Sequence, residues 1–369
     1  MDFDFSTEAD EAAGLAAQIL EERTTPARMR AVEADGDRFD PDLWQHLADA
    51  GLLGLATPEA YGGAGLGLLE LCRVVIEVGR TVAPVPVATH GACALTLAEL
   101  GTDEQRERCL RPAASGERVL AAAVSEDLTA LPRRPLTTAR RAGDGWVLTG
   151  TKTLVRAGPR AGLLLVTAST PDGVGVFLVE SGTDGLTTVA QHTTDGDLAA
   201  RIELADVVLA PDALLGGRLD AAARLGHLLT VTTCAEQLGV TEGALALTAA
   251  YATTREQFGR PIGTFQAVSQ RLADGFIDTL GQRLTLWQAA WRLADGLPAE
   301  KELATATVFA ADAGHRVAHT TVHVHGGVGI DLDGEAHRYF TSAKRFEFLH
   351  GGSTEQALNV GRILAAEPA

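Results

Sequence analysis

Few residues in this 369-residue chain combine a reactive side chain with a suggestive setting. Arg255 and Phe258 stand in the linker Arg255-Glu256-Gln257-Phe258-Gly259-Arg260-Pro261-Ile262-Gly263-Thr264-Phe265-Gln266, between two long stretches of helical periodicity. A guanidinium there either caps the carbonyls of the preceding helix or offers its planar fork to an anion. Further on, His323-Val324-His325-Gly326-Gly327-Val328-Gly329-Ile330 is a glycine-rich turn, where missing side chains let backbone amides approach a ligand. Proton carriers are scattered: Glu236, Glu347, Glu355, and His350, whose imidazole titrates in the useful range. Each has an ordinary alternative, a helical ion pair for Glu236 and simple packing for His350. Asp333, Glu335 and His337 lack a further ligand at workable spacing, so no metal is expected. Cys72, Cys93, Cys109 and Cys234 form no CxxC pair and read as buried, reduced thiols.

The elements that must position these groups fall into three regions. Up to about residue 110 apolar residues recur at helical spacing, as in Leu43-Trp44 followed by Leu47-Ala48, with Thr7 and Glu8 placed to cap the first helix. A Gly/Pro-rich break at Pro58-Glu59-Ala60-Tyr61-Gly62-Gly63-Ala64-Gly65 precedes an apolar helix ending near Gly79-Arg80. From about 117 to 210 the period shortens to strand-like runs at 119–124, 145–148, 163–166, 174–179 and 200–204. After Pro211 long helices return at about 218–254, 264–295, 298–324 and 335–365, enough for a four-helix bundle. The expected class is α+β, mostly α, with an N-terminal helical domain over 1–114, a small central antiparallel β domain over 115–212 and a C-terminal bundle over 213–369.

Composition removes other classes. Apolar residues make up 46% of the chain without an uninterrupted run of the ~18 that a membrane span needs. A net charge of -17 opposes a nucleic-acid footprint. The acidic start Met1-Asp2-Phe3-Asp4 has the wrong sign for a targeting segment, so the expected location is cytoplasmic.

In this order and spacing, the linker from Arg255 to Gln266 and the turn from His323 to Ile330 resemble the signatures of the acyl-CoA dehydrogenase family. The N-terminal run from Leu43 through Pro58-Glu59-Ala60-Tyr61-Gly62-Gly63 resembles its helical domain, so the likeness spans almost the whole chain. The resemblance implies FAD, with the Arg255 guanidinium on the pyrophosphate and the Phe258 ring on adenine. It assigns further cofactor contacts to Gln257, Ile262, Gln266, Gly326, Gly327 and Ser125, and to His323, which replaces the usual glutamine. Family members take these adenine-end groups from a neighbouring subunit, so the flavin is shared at an interface.

Members of the family remove the α-proton of an acyl-CoA thioester with a glutamate while the β-hydride passes to the flavin. Matching the two positions that carry this base gives Gly351, in His350-Gly351-Gly352-Ser353-Thr354-Glu355, and Leu229, so no catalytic glutamate is expected. The flavin-ring loop is altered to Val124-Ser125-Glu126-Asp127-Leu128-Thr129-Ala130-Leu131-Pro132, and Leu154 stands where a tryptophan is common. Groups serving the chain's own ring site are eroded, whereas those lent to a neighbour persist. The chain is therefore similar to the glutamate-lacking subunit of the heterotetrameric acyl-CoA dehydrogenases of actinobacterial steroid side-chain degradation. That implies two copies joined to two of a base-bearing partner, an acyl-CoA substrate, and an electron-transfer flavoprotein or similar acceptor. The alternatives are a homo-oligomer using Glu236, Glu347, Glu355 or His350 as a displaced base, and a non-catalytic acyl-CoA-binding protein.

Overall fold

The computed structural model describes residues 5–366; Asp2 and Asp4 of the acidic start lie outside them. Six helices come first: α1 (Thr7–Arg23), α2 (Pro26–Ala34), α3 (Pro41–Asp49), α4 (Leu68–Arg80), α5 (Val87–Leu100) and α6 (Asp103–Ala114). Their starts are chemically marked. Ser6 rather than Thr7 caps α1, its hydroxyl accepting from the Ala9 N–H, with Glu8 and Asp10 in the first turn of the helix macrodipole. Prolines open α2 and α3, and Thr102 with Gln105 forms a reciprocal capping box on α6. All four cysteines are buried and free, as the sequence reading expects.

Seven strands follow: β1 (Val119–Ala123), β2 (Thr138–Ala142), β3 (Gly145–Arg156), β4 (Ala161–Thr170), β5 (Gly173–Glu180), β6 (Leu186–His192) and β7 (Leu198–Leu209). They run in the order β1-β4-β2-β3-β7-β6, with β5 on the other edge of β4. The sheet is mostly antiparallel, but β1 runs parallel to β4. The 124–137 connection explains this: it is long enough to avoid a hairpin and lets the chain return with β1's direction unreversed. Strands β2 and β6 were not evident in the sequence, because they expose most of their residues and carry no sustained apolar alternation.

The bundle comprises α7 (Ala221–Thr254), α8 (Gln266–Ala294), α9 (Glu300–His325), α10 (Ala336–Leu349) and α11 (Gly352–Ala366), with a minute hairpin of β8 (Glu256–Gln257) and β9 (Arg260–Pro261) between α7 and α8. The helical domain docks on it through α4 and α7, whose backbones approach so closely that a Cβ at Gly239 would lie 1.9 Å from the Ile76 carbonyl oxygen. The expected single helix over 335–365 is broken. Gly351 and Gly352 both take positive φ, 96° and 65°, which an uninterrupted helix does not allow, and the break falls at the expected base position.

Candidate functional site

Tyr251 brings the linker and the glycine turn to one edge of the bundle. It lies one turn before Arg255, whose backbone N–H closes α7 on the Tyr251 carbonyl at 2.9 Å. Its ring stacks on buried His325 with centroids 4.3 Å apart and planes 21° from parallel. The Nδ1 atom of His325 is in turn held 2.8 Å from the Thr321 carbonyl oxygen. The ends of α7 and α9 are thereby pinned together. Sequence reasoning missed this pair, although Tyr251 at one helical turn from Arg255 was the available signal.

The linker folds as a hairpin in which Gln257 pairs with Arg260 and only Phe258 and Gly259 make the turn, at φ 53° and 77°. Positive φ suits glycine but strains a bulky phenylalanine. The strained ring is 93% exposed. Phe265 meets it edge-on at 6.1 Å, and the Arg260 guanidinium sits 4.3 Å from the Phe265 ring centroid. Arg255, Gln257 and Gln266 are exposed, while Ile262 is half-buried. The Arg255 guanidinium makes no ion pair or carbonyl contact among the described residues, which removes the capping reading of that arginine. His323, Gly326 and Gly327 are also exposed, and a Cβ built on either glycine would meet nothing within 4 Å. A cation, a flat ring and two bare backbone positions thus face outward together, and they fit the pyrophosphate and adenine of a dinucleotide.

The two expected base positions also meet, at His350. Its Nε2 lies 2.9 Å from the hydroxyl of Thr233, one turn beyond buried Leu229 on α7, and Gly351 follows it directly. Burial lowers the His350 pKa to about 4, against a backbone contact to Leu229, so the imidazole is neutral and weakly basic at pH 7. The displaced carboxylates are mostly engaged. Glu236 is gripped by Arg156, with Nη2 to Oε1 at 2.8 Å. Glu347 pairs with Lys344 and with His315 at 3.1 Å; burial would raise its pKa, but these partners hold it below the ordinary value. Glu355 folds back over Gly351, where an added Cβ would sit 2.7 Å from its carboxylate oxygen. Neighbouring Ser353 and Thr354 line an open hollow of about 390 Å³ with Val308, Asp312, Ala357 and Leu358.

At the altered loop the polar groups turn inward. The Ser125 hydroxyl donates to the Ala130 carbonyl at 2.8 Å. Glu126 accepts from the Leu136 N–H at 2.6 Å, the Thr137 N–H at 2.9 Å and the Lys152 ammonium at 2.8 Å. Lys152 is wholly buried, and desolvation lowers its pKa to about 8 despite Glu126. Leu154 takes φ 50° and is 48% exposed, its N–H spent on the Gln191 side chain at 2.7 Å. At this end the Ser125 hydroxyl, the Glu126 carboxylate and the Leu154 N–H are all engaged within the chain.

Family models cover nearly the whole chain: the N-terminal domain of acyl-CoA dehydrogenase matches residues 6–117, the middle domain 121–207 and the C-terminal domain 227–365. The chain belongs to the acyl-CoA dehydrogenase family. These are oxidoreductases that depend on FAD. The chain is 45% identical to the acyl-CoA dehydrogenase FadE27 of Mycobacterium tuberculosis, with all of both chains aligned. It superposes on a chain of the ChsE4-ChsE5 complex from the same organism with a TM-score of 0.95 at 45% identity, covering 100% of each. Against a Tcur3481-Tcur3483 steroid acyl-CoA dehydrogenase variant the TM-score is 0.91 at 42% identity, covering 97% of this chain and 98% of that one. The acyl-CoA dehydrogenase fold therefore extends over all three regions of this chain. No helix among the described residues is long and apolar enough to cross a membrane.

Proposed function

We propose that this chain is the base-lacking subunit of a heteromeric acyl-CoA dehydrogenase that introduces an α,β double bond into an acyl-CoA thioester of the steroid side-chain class. A base-bearing homologue is its partner, in a complex of two and two. Arg255, Gln257, Phe258, Ile262 and Gln266, with His323, Gly326 and Gly327, form a surface lent to the adenine end of the partner's FAD. Ser125 belongs to the chain's own ring end and takes no part in that surface. When bound, the flavin accepts the hydride. The residues of this chain hold and orient its distant half, while the partner supplies the carboxylate that takes the α-proton.

One observation carries the reading: the Arg255 guanidinium and the Phe258 ring face outward, the former with no ion pair among the described residues, whereas at the ring end the Ser125 hydroxyl donates to the Ala130 carbonyl and Glu126 pairs with Lys152. The relatives named above support it, since one solved structure is a two-protein complex and another is described as steroid-directed. The test is flavin absorbance per chain and acyl-CoA turnover, for the protein alone and co-expressed with a homologous partner. Half a flavin per chain, with turnover in the pair only, is expected. Full flavin and turnover in the lone chain would instead favour a homo-oligomer, for which Glu355 over Gly351 is the base to test.

The strained hairpin yields a prediction of opposite signs. Phe258→Asn places the preferred Asn-Gly pair at this two-residue turn, so the lone chain gains about 1 kcal/mol as strain is relieved. The complex loses the exposed ring, and its flavin dissociates faster. Urea midpoints of the lone chain and flavin off-rates of the complex test the two halves separately. If the midpoint does not rise, or the off-rate does not, the strain is not held for recognition.

A further inference from the structure

A neutral network of buried charges joins all three regions of the chain. Arg156, at the end of β3, grips Glu236 of α7 at 2.5 and 2.8 Å through its two terminal nitrogens. Its Nε reaches Asp197, just before β7, at 2.7 Å. From α10, Arg345 lies 2.6 Å from both Asp195 and Asp197. Arg38 of the helical domain stands 3.6 Å from Asp195, donates to the Val82 carbonyl at 2.7 Å and bridges Asp197 through its backbone. None of the six side chains is more than 9% exposed. The Phe346 ring lies beneath the Arg345 and Arg156 guanidinium groups at 4.2 and 5.8 Å.

Burying six charges is a poor route to stability alone, because desolvation consumes most of the Coulombic gain. Such a network instead fixes geometry, since its opposite charges come together in only one arrangement of the segments that carry them. Here those segments are the helical domain, the sheet and two bundle helices. The location is equally specific. Glu236 lies two helical turns, about 10 Å, from Leu229 along α7, and Arg345 lies on the helix that ends at His350 and Gly351.

We propose that this six-residue clasp ties the sheet domain to the bundle in the way a bound flavin ring otherwise would, and holds the chain's own cleft shut to one. The inference rests on the base-lacking-subunit reading and explains how such a subunit keeps its three-domain shape with no ring of its own. The polypeptide itself would then set the half-flavin stoichiometry.

Hydrogen exchange on the full chain tests this, with and without added FAD, for wild type and Glu236→Gln, followed at residues 193–198 and 345–349. Wild-type protection there should be the same with and without FAD. Glu236→Gln keeps the side chain's size but removes one charge, and should lower protection at both segments at least tenfold while the α6 capping turn is unchanged. A rise in wild-type protection on adding FAD would overturn the clasp, since the flavin would then be the tie; this needs no variant to fold. Unchanged protection in Glu236→Gln would overturn it as well. The two readings fail separately: a half-flavin, partner-dependent complex with an indifferent Glu236→Gln sinks the clasp alone, whereas full flavin in the lone active chain sinks the subunit reading.

Discussion

Arg255→Ala is expected to leave this chain folded and to strip flavin from the complex. The side chain is exposed and has no ion-pair partner among the described residues, so truncation removes no internal contact. Hydrogen bonds to a charged group contribute about 1.5–3 kcal/mol each, so losing one weakens flavin retention roughly 10- to 150-fold. Turnover should fall in proportion at limiting FAD and recover at saturating FAD, because the arginine acts at the end remote from the chemistry. Arg255→Lys should recover only part of the affinity, since an ammonium keeps the charge but not the planar fork. Equilibrium dialysis of FAD against the assembled complex measures both. An unchanged affinity in Arg255→Ala would mean that this surface is not the one lent to the partner.

The three-region plan was legible because each region announces its period: helical spacing, short β runs, then long helices closed by Gly and Pro. The outward-facing end of the site was legible for a related reason. The linker and the glycine turn are contiguous motifs, and chain connectivity alone sets most of their geometry. The ring end was harder. Ser125 could be noted as a retained hydroxyl, but its donation to the Ala130 carbonyl depends on a loop conformation that no periodicity encodes. Glu236 was read as an ion pair on its helix; its partner is Arg156, 80 positions away, in another domain. The break at Gly351 was missed because two glycines inside an apolar-periodic run lower helix propensity by only about 1 kcal/mol each, which tertiary context can override in either direction. Here the positive φ of both residues settles it.

Lys152→Met is expected to be the most destabilising single change in the sheet domain. The substitution preserves volume but leaves Glu126, itself 5% exposed, with a buried charge and only two backbone N–H donors. Removing one partner of a buried pair costs about 3–5 kcal/mol, whereas replacing both is often nearly neutral, so Lys152→Met with Glu126→Gln should regain most of the loss. The pH dependence distinguishes this cause from simple misfit. In the wild type the Lys152 pKa is depressed to about 8, so between pH 8 and the ordinary lysine range the unfolded chain binds the extra proton, and stability rises with pH. Lys152→Met abolishes that alkaline rise. On the acid side, wild-type Glu126 has a lowered pKa and loses stability as pH falls, but without its counter-charge burial raises that pKa, and the deficit of the variant should shrink as pH falls. Urea midpoints for wild type, the single variant and the pair, across acid, neutral and alkaline pH, measure all three effects. A deficit independent of pH would assign the cost to packing. Below its unfolding transition, Lys152→Met should leave flavin content and turnover of the complex intact if, as proposed, the loop it anchors belongs to a ring end that serves no flavin.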